Sequence, residues 1–192
     1  MTALFPHYKF KLFTEEQVDA HFFDDVDMVA FPGGIGDSDL YYDFFKRKTA
    51  NLIADYVANG GRYLGICMGA YWAGSDYFDI MDSVEPEQYI KRPFADVRRS
   101  FSTTAAVTWE GTKHDIFFYD GCALVGNPTR YTTVATYTNG DAAAIIQGRI
   151  GLIGPHPESQ QSWFDKPYLE SCWHQGRHHE LLLDFVNTLM QK

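Results

Sequence analysis

The chain has 192 residues, of which 45% are hydrophobic and 16% aromatic, so it can bury a sizeable core, and we expect a single domain over 1–192. Its 16 lysines and arginines against 25 aspartates and glutamates give a formal net charge of −9, which argues against nucleic acid as a partner. No apolar run reaches the ~18 residues of a membrane span or has the form of a signal peptide, so we expect a soluble, cytoplasmic protein without a membrane partner.

The first elements in the chain are a predicted short helix and a predicted buried strand. Thr14 with Gln17 fits a capping box, which predicts a helix to about Phe23. The apolar run 27–31 predicts a strand that ends at the glycine loop Pro32-Gly33-Gly34. The strand therefore delivers a loop whose backbone a ligand can approach closely.

A second helix and a second strand follow. Apolar residues recur at roughly helical spacing from about Asp39, and Asn59-Gly60-Gly61 supplies a left-handed stop. The run 62–66 is a short apolar strand, and the small residues of 67–73 suit a tight turn into another helix. The alternation of strands and helices indicates an α/β fold.

The second half of the chain is richer in strands. Strands are predicted at 103–109, 116–119, 132–138, 142–147 and 150–153. The order of the elements between 78 and 127 does not follow from the pattern. The last strand runs directly into Gly154-Pro155-His156-Pro157-Glu158, and an amphipathic helix over 178–190 closes the chain.

The segment Gly65-Ile66-Cys67-Met68-Gly69 has the form of a nucleophile elbow, with sulfur in place of oxygen. A sharp turn between a strand and a helix lifts the sulfur clear of the sheet, and the amides that begin a helix favour the thiolate. The glycines fit this geometry because a strained turn leaves little room for side chains.

A thiolate nucleophile needs a partner that takes and returns protons. His156 is the candidate general base, and Glu158, two residues later across a proline in extended chain, is the candidate residue that orients the ring. The backbone amides of the Gly33-Gly34 loop, together with that of Met68, are candidate oxyanion donors.

These segments, in this order and roughly 35 and 90 residues apart, resemble the class I glutamine amidotransferase superfamily. Within it, the stretches FPGGIGDSDLYY and GGRYLGICMGAYWAG are most similar to the amidotransferase-like domain at the N-terminus of some biotin protein ligases. The resemblance implies a flavodoxin-like three-layer sandwich with a mostly parallel central sheet, to which the sequence adds an antiparallel hairpin region. It implies a catalytic triad of Cys67, His156 and Glu158 and oxyanion donors near Gly34 and Met68. We expect no cofactor and no metal.

Two departures from the family pattern stand out. Glutaminase domains commonly carry His-Gln or a similar pair just after the elbow, where this chain has Ala70-Tyr71, so specificity for glutamine is open. Gly69 and Tyr71 remain candidates for the substrate-binding side. The family also opens with a strand and a helix before the segment equivalent to 9–13, so either the fold is trimmed at that edge or another element replaces them.

Three functions remain open. The first is an amidase that releases ammonia from glutamine or a related small amide and hands it to an ATP-dependent ligase or synthetase partner. The second is a regulatory or ligand-binding module without catalysis. The third is a cysteine hydrolase of the related intracellular-protease branch, against which the His156-Glu158 pairing argues, because those relatives recruit a carboxylate near the chain start.

Several other residues have alternative interpretations. Tyr41, Tyr42, Tyr71 and Trp72 either line a pocket or belong to the core, and Cys122 and Cys172 are interpreted as packing residues. Three cysteines, an odd number without CxxC spacing, argue against a disulfide framework. His174, His178 and His179 lack the pattern of a metal site, and a solvated or capping role is expected.

Overall fold

The computed structural model describes residues 2–34 and 45–192 and contains a nine-stranded sheet. Its strands are β1 (Met28–Phe31), β2 (Arg62–Ile66), β3 (Val84–Gln88), β4 (Thr103–Trp109), β5 (Thr112–Phe118), β6 (Cys122–Gly126), β7 (Thr132–Tyr137), β8 (Ala142–Gln147) and β9 (Ile150–Ile153). Its α-helices are α1 (Arg47–Ala58), α2 (Met68–Tyr71) and α3 (His178–Met190). The predicted strands and the closing helix are thus confirmed to within a few residues.

The sheet is parallel on one side and antiparallel on the other. The main strand order is β1-β2-β9-β8-β7-β4-β5, with β6 pairing to β8 and to β3. Only the β1–β2 and β2–β9 pairs are parallel among the pairings of the described residues. The expected α/β fold is confirmed, but the expectation of a mostly parallel sheet is confirmed only in part, because the predicted hairpin strands join the same sheet.

Helices cover both faces of the parallel strands. Successive side chains of a strand point to opposite faces, and in β2 Tyr63 packs in the same cluster as Ile53 of α1. The next residue, Leu64, packs with Leu182 and Phe185 of α3. The layers are therefore helix, sheet and helix, as the resemblance implies.

The chain before β1 differs from its prediction. The helix expected from Thr14 to about Phe23 is wrong, because only Glu15–Gln17 is helical, as a single 3₁₀ turn. The capping contact itself is present, since the Thr14 N–H donates to Gln17 Oε1 at 2.9 Å. In the described part of the chain no strand precedes β1, so the family's first strand is not replaced by another strand there.

The second predicted helix is confirmed over its C-terminal part. The helix α1 ends at Ala58, where Asn59-Gly60-Gly61 follows and Gly60 adopts a φ of +93°. Its expected beginning near Asp39 lies outside the described residues. Within the described ranges, no helix has the length and apolar character needed to span a membrane.

Candidate active site

Cys67 occupies the turn between β2 and α2 in a strained backbone conformation, with φ +50° and ψ −104°. Non-glycine residues rarely adopt a positive φ, and such strain clusters at functional sites. The flanking glycines are required by close contacts. A Cβ on Gly65 would lie 2.4 Å from the Gly69 carbonyl oxygen, and a Cβ on Gly69 would lie 2.0 Å from the Phe31 carbonyl oxygen. The local sequence therefore fits the tight corner that the elbow motif predicts.

The structure brings Cys67, His156 and Glu158 together in a buried cluster. Cys67 is only 4% exposed, His156 2% and Glu158 5%. The Glu158 carboxylate accepts a hydrogen bond from His156 Nδ1 at 2.9 Å, and Cys67 lies close enough to the imidazole to raise its pKa. Since Nδ1 is engaged by Glu158, Nε2 is the nitrogen left for the sulfur. An imidazole held between a thiol and a carboxylate can carry a proton to and from the sulfur.

The charges around His156 alter its ionisation strongly. Burial alone lowers the pKa of the ring, but the neighbouring charges of Cys67 and Glu158 and the hydrogen bond with Glu158 outweigh burial and raise the pKa to about 10. The raised pKa favours the protonated form of the ring. Burial of the Cys122 thiol, together with the charge of Cys67, raises the pKa of Cys122 well above its ordinary value.

The loop that carries His156 and Glu158 is a turn rather than the extended chain that the sequence predicts. The His156 N–H donates to the Phe117 carbonyl of β5 at 2.8 Å, and the Ser159 N–H donates to the His156 carbonyl at 3.2 Å. The turn brings the carboxylate back to the ring. Its second oxygen, Oε2, is buried without a hydrogen-bond partner among the described residues.

Two histidines of the last helix hold this loop, a role that the sequence does not reveal. Nε2 of His178 lies 3.0 Å from the Ser159 carbonyl oxygen, and Nε2 of His179 lies 2.7 Å from the same oxygen. His178 is buried, and burial is the main cause that lowers its pKa. The expected solvated or capping role is therefore wrong for His178, which is buried and forms no cap of this helix. Among the described residues no group of histidine, cysteine or acidic side chains is arranged to hold a metal.

The glycine loop after β1 lies against the same cluster. A Cβ on Gly33 would lie 2.2 Å from His156 Cε1 and 3.3 Å from the Cys67 Cβ. A Cβ on Gly34 would lie 2.0 Å from Cε of Met68. The two segments predicted to supply oxyanion donors thus lie next to each other and next to Cys67.

A cleft of about 700 Å³ opens beside the cysteine, lined among others by Gly34, Cys67, Met68, Tyr71, Gln88 and Asp120. The Cys67 thiol lies 3.7 Å from the Tyr119 carbonyl oxygen. The Tyr71 hydroxyl donates to the Asp120 carbonyl at 3.2 Å. Gln88 and Asp120 are cleft residues that the sequence analysis missed, because they come from the region whose strand order it left open.

The remaining candidates are distributed between cleft and core. Tyr71 lines the cleft, whereas Trp72 is buried in the core cluster that contains Phe31. Cys122 is fully buried, and Cys172 packs partly buried at the edge of another cluster, as a packing role predicts. Tyr41 and Tyr42 lie outside the described residues.

Comparisons with known proteins support the same fold. Residues 1–86 match the family model described as biotin-protein ligase, N terminal. A search of curated proteins found no match. A solved glutamine amidotransferase is 14% identical, and the alignment covers 90% of this chain and 84% of that chain with a TM-score of 0.59.

Two further solved structures are similar. A glutamine amidotransferase from Thermotoga maritima is 14% identical, with 88% of this chain and 80% of that chain covered and a TM-score of 0.63. A candidate GMP synthase subunit from Thermoplasma acidophilum is also 14% identical, with 91% and 78% covered and a TM-score of 0.58. The resemblance seen in the sequence is therefore confirmed: the chain has the glutamine amidotransferase-like fold, and its first 86 residues match the N-terminal region of biotin-protein ligases.

Proposed function

We propose that the chain is a cysteine-dependent amidase of the class I glutamine amidotransferase-like type, acting on glutamine or a related small amide. The proposal depends on one observation: a cysteine in a strained elbow adjoins an imidazole that a buried carboxylate holds at 2.9 Å. Cys67 is the nucleophile, His156 the general acid and base, and Glu158 the residue that orients the ring.

In the first half of the reaction the Cys67 sulfur attacks the amide carbonyl carbon. Negative charge develops on the carbonyl oxygen, where the backbone N–H groups of Met68 and the Gly33-Gly34 loop stabilise it; each such donor contributes on the order of 10²–10³ in rate. The carbon–nitrogen bond then breaks, and the protonated His156 gives its proton to the departing ammonia. A thioester with Cys67 remains.

In the second half the neutral His156 takes a proton from water as the water oxygen attacks the thioester. The carbon–sulfur bond breaks, the carboxylic acid leaves, and the ion pair of thiolate and imidazolium is restored. The ammonia is released to solvent or passed to an ATP-dependent ligase or synthetase partner. The similarity to a candidate GMP synthase subunit supports such a partner.

The direct test is ammonia release from glutamine and a panel of small primary amides. We expect turnover by the wild-type chain and none above background with Cys67→Ala, whereas Cys172→Ala, which alters a cysteine outside the cluster, keeps the wild-type rate. His156→Ala is expected to lose roughly 10²–10⁴-fold. Equal release by wild type and Cys67→Ala on every amide would remove the amidase proposal.

Thiol labelling tests the activated sulfur without a substrate. Cys67 is buried while Cys172 is partly exposed, so exposure alone predicts that Cys172 reacts first. Activation by His156 predicts the opposite order with a small neutral reagent at neutral pH. Mass spectrometry of the peptides after substoichiometric labelling measures the order, and faster modification of Cys172 would contradict activation.

The second candidate function is a regulatory or ligand-binding module that keeps the pocket without catalysis. The observation that favours it is Tyr71, which occupies the cleft just after the elbow and is tied to the Asp120 carbonyl. The ammonia assay separates the two functions. A ligand or partner whose binding is unaffected by Cys67→Ala, in a chain that releases no ammonia, would support the module.

A further inference from the structure

The ionisable side chains that line the cleft carry a negative balance. Asp76, Glu85 and Asp120 contribute three carboxylates, and Lys91 contributes one ammonium group. Asp76, Glu85 and Lys91 are exposed, whereas Asp120 is half-buried. Low-dielectric walls strengthen the field of a half-buried charge, so Asp120 dominates the inner part of the cleft.

Asp120 is tied closely to the nucleophile. It directly follows Tyr119, whose carbonyl oxygen lies 3.7 Å from the Cys67 sulfur. Its own carbonyl accepts a hydrogen bond from Tyr71, a second residue of the cleft wall. Consecutive Cα atoms are about 3.8 Å apart, so the Cα atom of Asp120 lies only a few ångströms beyond Tyr119, whose carbonyl oxygen contacts the Cys67 sulfur.

The Asp120 carboxylate is held in place but not neutralised. Gln88 Nε2 donates to both of its oxygens, at 2.9 and 2.8 Å. A carboxylate accepts about four hydrogen bonds, so capacity remains for a ligand. An amide donor carries no net charge, and no lysine or arginine among residues 2–34 and 45–192 forms an ion pair with Asp120. The cleft thus presents, near the reactive sulfur, a carboxylate that Gln88 holds and that has no ion-pair partner within the described ranges.

We infer that the substrate of this site is a small amide that carries a positive charge, such as a protonated amine a few bonds from the carbonyl, and that Asp120 selects it. This inference rests on the proposed function. A charge-assisted hydrogen bond to Asp120 favours the cation over a neutral amide of the same shape by roughly 10- to 100-fold. Glutamine carries a carboxylate as well as an ammonium group, so it is a poorer substrate than a purely cationic amide.

Three amides of similar size that differ in charge test the inference. They are 4-aminobutanamide, which is cationic, pentanamide, which is neutral, and succinamate, which is anionic. We expect kcat/KM for ammonia release to fall in that order, with at least a tenfold step from cation to neutral amide. Asp120→Asn keeps the size of the side chain and a hydrogen-bond acceptor for Gln88, and it is expected to reduce that step to threefold or less.

The control variant is Asp184→Asn, which removes one negative charge from an exposed position on α3 outside the cleft. This variant should keep the order of kcat/KM for the three amides and the size of the differences, because salt screens the charge of an exposed residue outside the cleft. Equal kcat/KM for the cationic and neutral amides in the wild type would overturn the inference and leave the amidase proposal intact.

A second measurement does not depend on turnover. Methanethiosulfonates form a disulfide with a thiolate and release methanesulfinate, and they are made with a 2-aminoethyl, a methyl or a 2-sulfonatoethyl group. Their rates at Cys67 in a Cys172→Ser background, each divided by the rate with a small free thiol, report the charge preference of the cleft. We expect the cationic reagent to exceed the anionic one at least tenfold, and Asp120→Asn to reduce this ratio.

The two measurements separate the two proposals. A cationic preference in labelling without any ammonia release would support the charge selection and count against the amidase. Turnover with no cationic preference in either measurement would support the amidase and count against the charge selection. Absence of both ammonia release and charge preference would overturn both.

Discussion

Gly33 lies so close to the imidazole that adding one methyl group there should displace the ring. A Cβ at this position would lie 2.2 Å from His156 Cε1 and 2.7 Å from Nδ1. Real Cβ contacts are essentially never shorter than 3.0 Å, so the ring has to withdraw by about 0.8 Å. The ring is buried and held by Glu158 at 2.9 Å, so it cannot move away without lengthening that hydrogen bond or leaving Cys67.

The expected consequence of Gly33→Ala is a large loss of activity. A misplacement of about 1 Å in a catalytic constellation costs on the order of 10²-fold in rate, and we expect kcat for ammonia release to fall by about this factor. The neighbouring Gly34→Ala is the matched control. Its Cβ would meet Cε of Met68 at 2.0 Å, but that atom is the far end of a flexible side chain that can turn away.

Both variants retain every backbone N–H, so a difference between them does not arise from a lost oxyanion donor. Circular dichroism and urea denaturation show whether each variant folds. The rate of Cys67 labelling gives a second readout that needs no substrate. If Gly33→Ala kept the activity and labelling rate of Gly34→Ala while folded, the contact between the glycine loop and His156 would have no functional role.

The other predictions concern the ionisation and the anchoring of the same loop. Replacing Cys67 by alanine removes the charge that raises the pKa of His156 most, so NMR titration should find the pKa of His156 well below about 10 in this variant. Glu158→Gln should also lower the pKa of His156, but by a smaller amount. An unchanged pKa in both variants would contradict the charge assignment. The pKa of His156 is raised above its ordinary value of 6.5 in the folded chain. Its contribution to the free energy of unfolding is therefore present in full below pH 6.5 and is lost as the pH rises through about 10. Urea denaturation across this pH range should find a smaller loss of stability in Cys67→Ala than in the wild type. His178→Leu leaves the Ser159 carbonyl with one donor fewer and should lower the free energy of unfolding by about 1–3 kcal/mol. His178→Gln places an N–H at a similar distance and should keep most of the stability that His178→Leu loses. Equal stability of the two variants would exclude the hydrogen bond as the cause.

The features that the sequence predicts well are those set by neighbouring residues. The elbow is recognisable because residues 65 and 69 have to be glycine for the turn to pack against backbone atoms. Both positions lie within the five consecutive residues 65–69, so the pattern is local. The pairing of His156 with Glu158 also depends on residues close in sequence, although the chain forms a turn there and not the predicted extended conformation. A steric demand between neighbouring residues leaves a recognisable pattern in the sequence, and this is why the turn at Cys67 could be predicted.

The helix expected after Thr14 fails because tertiary packing overrides the local pattern. The adjacent rings of Phe22 and Phe23 contact each other at 5.1 Å between centroids, and Phe22 also contacts Phe13 at 5.1 Å. Phe23 stacks on Tyr56 of α1 at 4.8 Å. Consecutive residues of a helix point in directions about 100° apart, so burying both rings in aromatic contacts favours the observed turns over a helix.

The charged wall of the cleft is unpredictable from local sequence for a different reason. Gln88 and Asp120 are 32 residues apart and meet because β3 pairs with β6, in a register that sets Gln88 opposite Cys122. That pairing depends on the rest of the sheet, and neither strand carries a turn signal that identifies its partner. A specificity determinant built from such a pair becomes visible only in three dimensions.

The meeting of the sulfur and the imidazole follows from the one parallel part of the sheet. The strands β2 and β9 pair with Ile66 opposite Ile153, so the chain leaves both strands at the same edge. Cys67 is the first residue beyond that pair on one strand, and His156 is the third on the other. The strand β1 ends beside them, with Phe31 opposite Gly65, and delivers the glycine loop. Since side chains along a strand alternate between faces, a register shift of one residue between β2 and β9 would place mismatched faces of the two strands side by side and draw Cys67 away from His156. The hydrophobic register that packs α1 and α3 on opposite faces is therefore also what holds the proposed nucleophile and base within reach of each other.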